Sequence, residues 1–325
     1  MSEAALMSAR KLLFMHEDMA RRREASMSQL ARVRDAFSKE SVLNHPDVTI
    51  FAAGSLGRLE AGGNSDLDIF VVARPGMLGR LSEVRLLSKI ADLNDSLGFP
   101  SFSDEMRYMK VYDSDQLIKD TGKPRDDSEN SFTTRMLLLL ESAPLANQEL
   151  YYSFMGEVCE NYFRDNKGKR DFRPLFLIND LLRYWRTLCL NYEQCRDDPT
   201  KPWRKRNMNL RFSRLTTVFA TVALLMIDRP ARAMDFIDQT SLTPIERLAT
   251  AIDKLDDSNL QTEFCHFLDH YSSFLRIKDS VNPERLLIKG GTKEKVRVSA
   301  DAIADFFVKV FRHKALDDYS RYLVL

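Results

Sequence analysis

Apolar positions along the chain follow three successive rhythms. From residue 3 to 40, Leu6, Leu12, Leu13 and Met19, then Met27, Leu30, Val33 and Phe37, recur at helical spacing, interrupted by the charged run Arg21-Arg22-Arg23-Glu24. The rhythm then changes. Val48-Thr49-Ile50-Phe51-Ala52-Ala53 and Ile69 to Ala73 are short β-branched and aromatic runs that predict strands, the second closed by Pro75-Gly76. Leu78, Leu81, Val84, Leu86, Leu87, Ile90, Leu93 and Leu97 return to helical spacing, and Gly98 is the stop signal. A further strand is predicted from Ser103 to Tyr112, with Glu105, Arg107, Met109 and Val111 on one face and Asp104, Met106, Tyr108, Lys110 and Tyr112 on the other. Asp113 and Asp115 then open a short helix through Ile118.

Beyond residue 121 the pattern is nearly all helix. Helices are predicted over Phe132 to Leu140, ended by Pro144, over Leu150 to Phe163, over Pro174 to Tyr192 and over Ala300 to Lys314. The run Met136-Leu137-Leu138-Leu139-Leu140 must be buried all round. Lys289-Gly290-Gly291-Thr292-Lys293 lacks the spacing of a P-loop and reads as a hairpin or linker. The fold class that follows is α/β in the α+β sense. It comprises an N-terminal helical segment (1–40), a small mixed-sheet core (41–120) and a large all-α region with a short tail (121–325).

A chain of 325 residues is long enough for two domains, and its 44% hydrophobic and 29% charged content is that of an ordinary water-facing protein. A net charge of +1 excludes wholesale electrostatic binding of nucleic acid, so any such contact needs a local patch. Cys159, Cys189, Cys195 and Cys265 show no zinc spacing and read as reduced thiols of a cytoplasmic protein. Cys265-His266 with His270 reads as a helix face. No run reaches the about 18 apolar residues of a membrane span; Leu215 to Ile227 is the longest candidate. Arg10, Lys11, His16, Glu17 and Asp18 break up any leader pattern, so no membrane partner is expected.

Two basic features need an anion. Residues 201–214 hold Lys201, Arg204, Lys205, Arg206, Arg211 and Arg214 without an acid, with Trp203 and Phe212 interleaved. Pro199 and Pro202 predict a loop there, suited to nucleotide phosphates and a stacked base, or simply to solvent. On the helix from Pro174, Asn179, Arg183, Arg186 and Thr187 form a polar stripe, and its arginines call for an acid such as Asp180 or Glu193, or for a bound phosphate.

The sharpest chemistry lies in residues 54–72. The Gly54-Ser55 turn offers backbone amides and a hydroxyl to a phosphate chain. Asp66 and Asp68, two apart at the mouth of a strand, project together while Leu67 turns into the core. Paired carboxylates repel unless a cation lies between them, and a hard divalent ion that also grips phosphates suits the place.

This pattern, Gly54-Ser55, a spacer over 56–65, then Asp66-x-Asp68, resembles the signature of the DNA polymerase beta-like nucleotidyltransferase superfamily. The wording Gly57-Arg58…Asn64-Ser65-Asp66-Leu67-Asp68 is most similar to the bacterial branch related to protein-PII uridylyltransferases. The resemblance covers some twenty residues. It implies a nucleotidyltransferase core in which Asp66 and Asp68 hold Mg2+ or Mn2+. A third carboxylate on a neighbouring strand, Glu105 or else Asp104, completes the site and assists deprotonation of the acceptor. Gly54 and Ser55 would bind the β/γ-phosphates of a nucleoside triphosphate, with Arg58, Ser65, Arg183, Arg186, Lys205 and Arg206 as further nucleotide contacts. Acceptors left open are a nucleotide or oligonucleotide 3′-hydroxyl, a protein hydroxyl, including Tyr319, Ser320 or Tyr322 of the chain's own tail, and a small molecule such as an aminoglycoside. A partner protein of a bacterial defence or toxin system would fit the large helical half. The alternative is a catalytically silent nucleotide-binding module that acts through such a partner. The N-terminal helix could pair with a second copy, and the oligomeric state stays open.

Overall fold

A computed structural model describes residues 7–102, 109–196, 198 and 201–319. The fold is mixed α+β, with a four-stranded sheet and a large helical region. The strands are β1 (Val48–Ala52), β2 (Ile69–Ala73), β3 (Val111–Asp113) and β4 (Ala143–Ala146), in the order β3-β2-β1-β4. β1 runs antiparallel to β2 and β4, and β2 runs parallel to β3.

All five residues of β1 are buried because both sheet faces are covered. One face presents Val48, Ile50, Ala52, Ile69 and Val71 to Leu30, Val33 and Phe37 of the helix Glu17–Ser38 and to Leu86 and Ile90 of the helix Arg80–Ser96. On the other face Phe51 stacks on Phe70 at 5.5 Å and meets Tyr151 of the helix Gln148–Phe163 edge-on at 5.9 Å.

β4 departs from the sequence pattern. Pro144 does follow a helix, Ser131–Glu141, but it sits within an edge strand, where its missing N–H need not cost a ladder bond. The β1 register shifts between Ile50 and Phe51, so that Ile50 pairs with Ala146 and Phe51 with Pro144. Of the strand predicted from Ser103 to Tyr112, Val111 and Tyr112 lie in β3, and residues 103–108 lie outside the described residues. Asp113 caps the helix Ser114–Lys119, its carboxylate accepting from the amides of Asp115 and Gln116.

The chain divides into two compact units. One, the sheet unit, takes the described residues of Arg22–Asp165 and Arg232–Ser241; the other, the helical unit, takes those of Met1–Arg21, Asn166–Ala231 and Leu242–Leu325. The helical unit has an aromatic core in which Phe212 stacks on Phe274 at 4.6 Å and Phe264 on Phe267 at 5.7 Å. Two segments there are more regular than their composition predicts. Residues 203–214 are helical rather than looped: Pro202 stands at the N-cap, and the chain continues through Trp203–Asn209 and a π-turn, Leu210–Arg214, into Leu215–Asp228. Gly290 and Gly291 are likewise the first turn of the helix Gly290–Phe311, not a hairpin. Helix Trp203–Asp228 is long and apolar enough by composition to cross a membrane, yet it is mostly buried inside the protein, as a core helix is.

Candidate active site

The site is assembled where β1 ends beside the start of β2. Register pairs Ala52 with Ile69, and the next rung is closed by the Ala53 amide, which donates to the Asp68 carbonyl at 2.9 Å. The chain then turns at Gly54 with φ +67°, a left-handed conformation that disfavours a side chain. A Cβ at this position would lie 2.2 Å from Asp68 Oδ2, so the turn rests directly against the carboxylate. One helical turn follows, Gly54–Gly57. A Cβ on Gly57 would lie 2.0 Å from the Glu141 carbonyl, so this glycine seats the turn against the end of the helix Ser131–Glu141.

The loop between the turn and the aspartates is tied down by short hydrogen bonds. The Glu60 amide donates to the Ser55 carbonyl at 2.8 Å and the Ala61 amide to Ser26 Oγ at 2.9 Å. Ser65 closes a small ring, accepting at Oγ from the Gly62 amide at 2.9 Å and donating its own amide to the Gly62 carbonyl at 3.2 Å. From there the side chains alternate. Leu67 is 2% exposed in the sheet core, whereas Asp66 and Asp68 are exposed and line a cleft of about 370 Å³.

Residues from distant segments make the rest of that cleft. Phe70 and Tyr112 present aromatic surface 6.3 Å apart. Lys110 Nζ donates to Glu129 Oε2 at 2.9 Å and lies 5.0 Å from the centre of the Tyr112 ring. That bond holds the Glu129 carboxyl below the usual carboxylate range. Asn130, in the left-handed region at φ +59°, donates from Nδ2 to the Tyr112 hydroxyl at 3.3 Å. Sequence reasoning placed Lys110 and Tyr112 on one strand face but did not connect them with the aspartates. Asn130 carried no signal beyond its position before a helix.

The other residues singled out in the sequence take different places. Ser55 is buried beside Gly54 in the turn. Arg58 is 4% exposed and turned into the fold, donating from Nε to Glu60 at 2.8 Å and from Nη1 to Glu141 at 2.6 Å. Arg183, Arg186, Lys205 and Arg206 belong to the helical unit. There Arg183 pairs with Asp180 at 3.4 Å, and Arg206 Nη1 lies 2.8 Å from Cys195 Sγ. The Lys205 amide donates to Glu284 Oε2 at 2.9 Å. Tyr319 is fully buried, with the guanidinium groups of Arg173 and Arg229 at 5.0 and 5.4 Å from its ring, so its hydroxyl is enclosed rather than presented to a nucleotide. Asp104, Glu105, Ser320 and Tyr322 lie outside the described residues.

Among the described residues no cluster of three or more His, Cys, Asp or Glu gathers as a metal site. The donor set present is therefore the Asp66–Asp68 pair. It fits a magnesium-type ion, which commonly takes only one or two protein carboxylates and completes its shell with water and substrate phosphates. The bare backbone of Gly54 lies directly against the Asp68 carboxylate, which is itself exposed. Compared with known proteins, the chain matches no family model and no curated protein.

Proposed function

We propose that the chain is a metal-dependent nucleotidyltransferase, moving a nucleoside monophosphate from a nucleoside triphosphate to a hydroxyl acceptor. The observation that carries this reading is the convergence of Gly54 on Asp68, with Asp66 beside it on an open cleft and Leu67 turned inward. Asp66 and Asp68 would hold Mg2+ or Mn2+, which when bound neutralises phosphate charge and stabilises the attacking and leaving oxygens. The amides opening the Gly54 turn have no acceptor within so short a helix and are suited to phosphate oxygens. In the reaction an acceptor oxygen bonds to the α-phosphorus, the bond to the β-phosphate oxygen breaks, and pyrophosphate leaves. The hydroxyl proton passes to a carboxylate of the site, with Glu105 or Asp104 as candidates for that role.

The acceptor is a nucleotide 3′-hydroxyl or a protein hydroxyl. Burial of Tyr319 lowers the standing of that residue as a self-acceptor. Free thiols at all four cysteines support a reducing compartment, and we assign the cytoplasm.

The test is incubation with Mg2+ or Mn2+ and each labelled ribo- and deoxyribonucleoside triphosphate. Products are resolved on a denaturing gel and by intact-protein mass, with Asp66→Ala/Asp68→Ala as control. An aspartate-dependent ladder or protein mass increase supports transfer and identifies base and acceptor. Nucleotide binding without any aspartate-dependent product, across oligonucleotide and protein acceptors, would leave a nucleotide-binding module in its place.

A further inference from the structure

Lys110 is the one cation among the described residues that line the Asp66–Asp68 cleft. A triphosphate brings about four negative charges to a site that already holds two carboxylates, so a cation beyond the metal has work to do there. In this structure Lys110 is bonded to Glu129 and lies over the Tyr112 ring. Both members of the pair are partly open to solvent, at 40% and 46% side-chain exposure. An exposed pair of this kind is worth little, so a phosphate oxygen competes for the lysine at small cost. Glu129 and Asn130 are consecutive, and Asn130 is fixed by its bond to Tyr112, so the latch and the cleft wall belong to one short segment.

We propose that Lys110 is the polyphosphate-binding cation of this cleft and that Glu129 is its latch, holding the ammonium over Tyr112 until a phosphate chain takes it. The inference rests on the nucleotidyltransferase reading and adds a residue pair to it. Two consequences oppose each other. Removing the lysine weakens binding of a phosphate chain, and removing the charge of Glu129 strengthens it. A purely structural ion pair would predict the same direction for both.

The probes are inorganic tripolyphosphate and a nucleoside triphosphate, each titrated calorimetrically with Mg2+ into the full chain, with melting temperature followed as a fold check. Lys110→Met is expected to weaken both ligands about tenfold, the size of one charge-assisted hydrogen bond. Lys110→Arg should recover part of that loss, and Glu129→Gln should tighten binding about two- to fivefold. Unchanged affinity in Lys110→Met with a bound wild type would overturn the role of Lys110 alone. Equal weakening by Lys110→Met and Glu129→Gln would overturn the latch and leave the pair structural. Failure of the wild type to bind either ligand would overturn this inference together with the function beneath it.

Discussion

Two segments stand out in the sequence for their charge, and the fold treats them in opposite ways. In the sheet unit, Asp66 and Asp68 are exposed and line an open cleft. In the helical unit, the basic segment folds into a helix, and two of its arginines meet acids from elsewhere in the chain: Arg204 with Glu284 at 3.0 Å and Arg211 with Asp301 at 2.5 Å. Lys201 pairs locally with Asp198. What sets Asp66 and Asp68 apart is that both stay exposed along a cleft while Leu67 between them is turned inward. Arg58 makes the same point within the sheet unit: it belongs to the motif in sequence, yet it lies buried between Glu60 and Glu141.

The largest expected effect tests the open side of this contrast. Asp68→Ala should lower turnover at least about a thousandfold, since metal-assisted charge stabilisation contributes several kcal/mol. Its melting temperature should stay near that of the wild type, because the side chain is exposed. Retained turnover would remove Asp68 from the site.

The closed side has its own large effect. Arg135 and Asp126 are both fully buried and joined by two bonds of 2.9 and 2.7 Å, with Tyr162 and the Leu117 carbonyl accepting from the same guanidinium. Arg135→Met strands a buried carboxylate and should cost about 3–5 kcal/mol in urea unfolding, while Arg135→Met/Asp126→Leu should recover much of the loss. Equal losses in the single and double variants would show that packing, not the stranded charge, sets the cost.

Gly54→Ala comes next in size. The left-handed backbone alone costs about 1–2 kcal/mol, and the new Cβ must displace the Asp68 carboxylate. Turnover should therefore fall further than stability does. A variant that loses stability but keeps full turnover would separate the turn from the chemistry.

Arg204→Ala and Arg211→Ala should each change stability by less than about 1 kcal/mol, as partly exposed ion pairs do. Nucleoside triphosphate affinity, read by calorimetry, should stay within about twofold of the wild type. A tenfold loss in either would restore the basic segment as a nucleotide contact and break the comparison.

The legible parts of the fold were those fixed by local pattern. β1, β2 and the alternation at Asp66, Leu67 and Asp68 follow from period-two spacing, and the helix Arg80–Ser96 follows from period 3.6. Tertiary pairing decided the rest. Residues 143–146 form a strand because β1 offers an edge, and nothing in Ala-Pro-Leu-Ala announces it. Residues 203–214 and 290–293 are helical because the chain beyond them supplies buried faces that override basic and glycine-rich composition. The cleft was half legible for the same reason. Gly54, Ser55, Asp66 and Asp68 lie within one short segment, whereas Lys110, Tyr112 and Asn130 arrive through the packing of β3 and the helix Ser131–Glu141.

The smallest effect concerns a carboxylate of the helical unit that is held as firmly as its arginines. Asp18 accepts from Ser272 Oγ at 2.5 Å and is flanked by Arg276 and Arg21; the Ser272 bond first, then the two cations, hold its carboxyl below the usual range. A folded-state pKa depressed in this way stabilises the protein above the unfolded value of about 3.9, and the contribution disappears as pH falls through the folded value. Asp18→Asn should thus be less stable than the wild type near neutrality, and the gap should close on acidification below about pH 4. Urea midpoints for both proteins from about pH 6 to pH 2 give the measurement. A gap that stays constant across that range would mean that the shape of the side chain, rather than its charge, holds Asp18 to Ser272. Asp18 would then no longer count as a charge held by its neighbours, and the contrast with the exposed residues Asp66 and Asp68 would narrow to the basic residues alone.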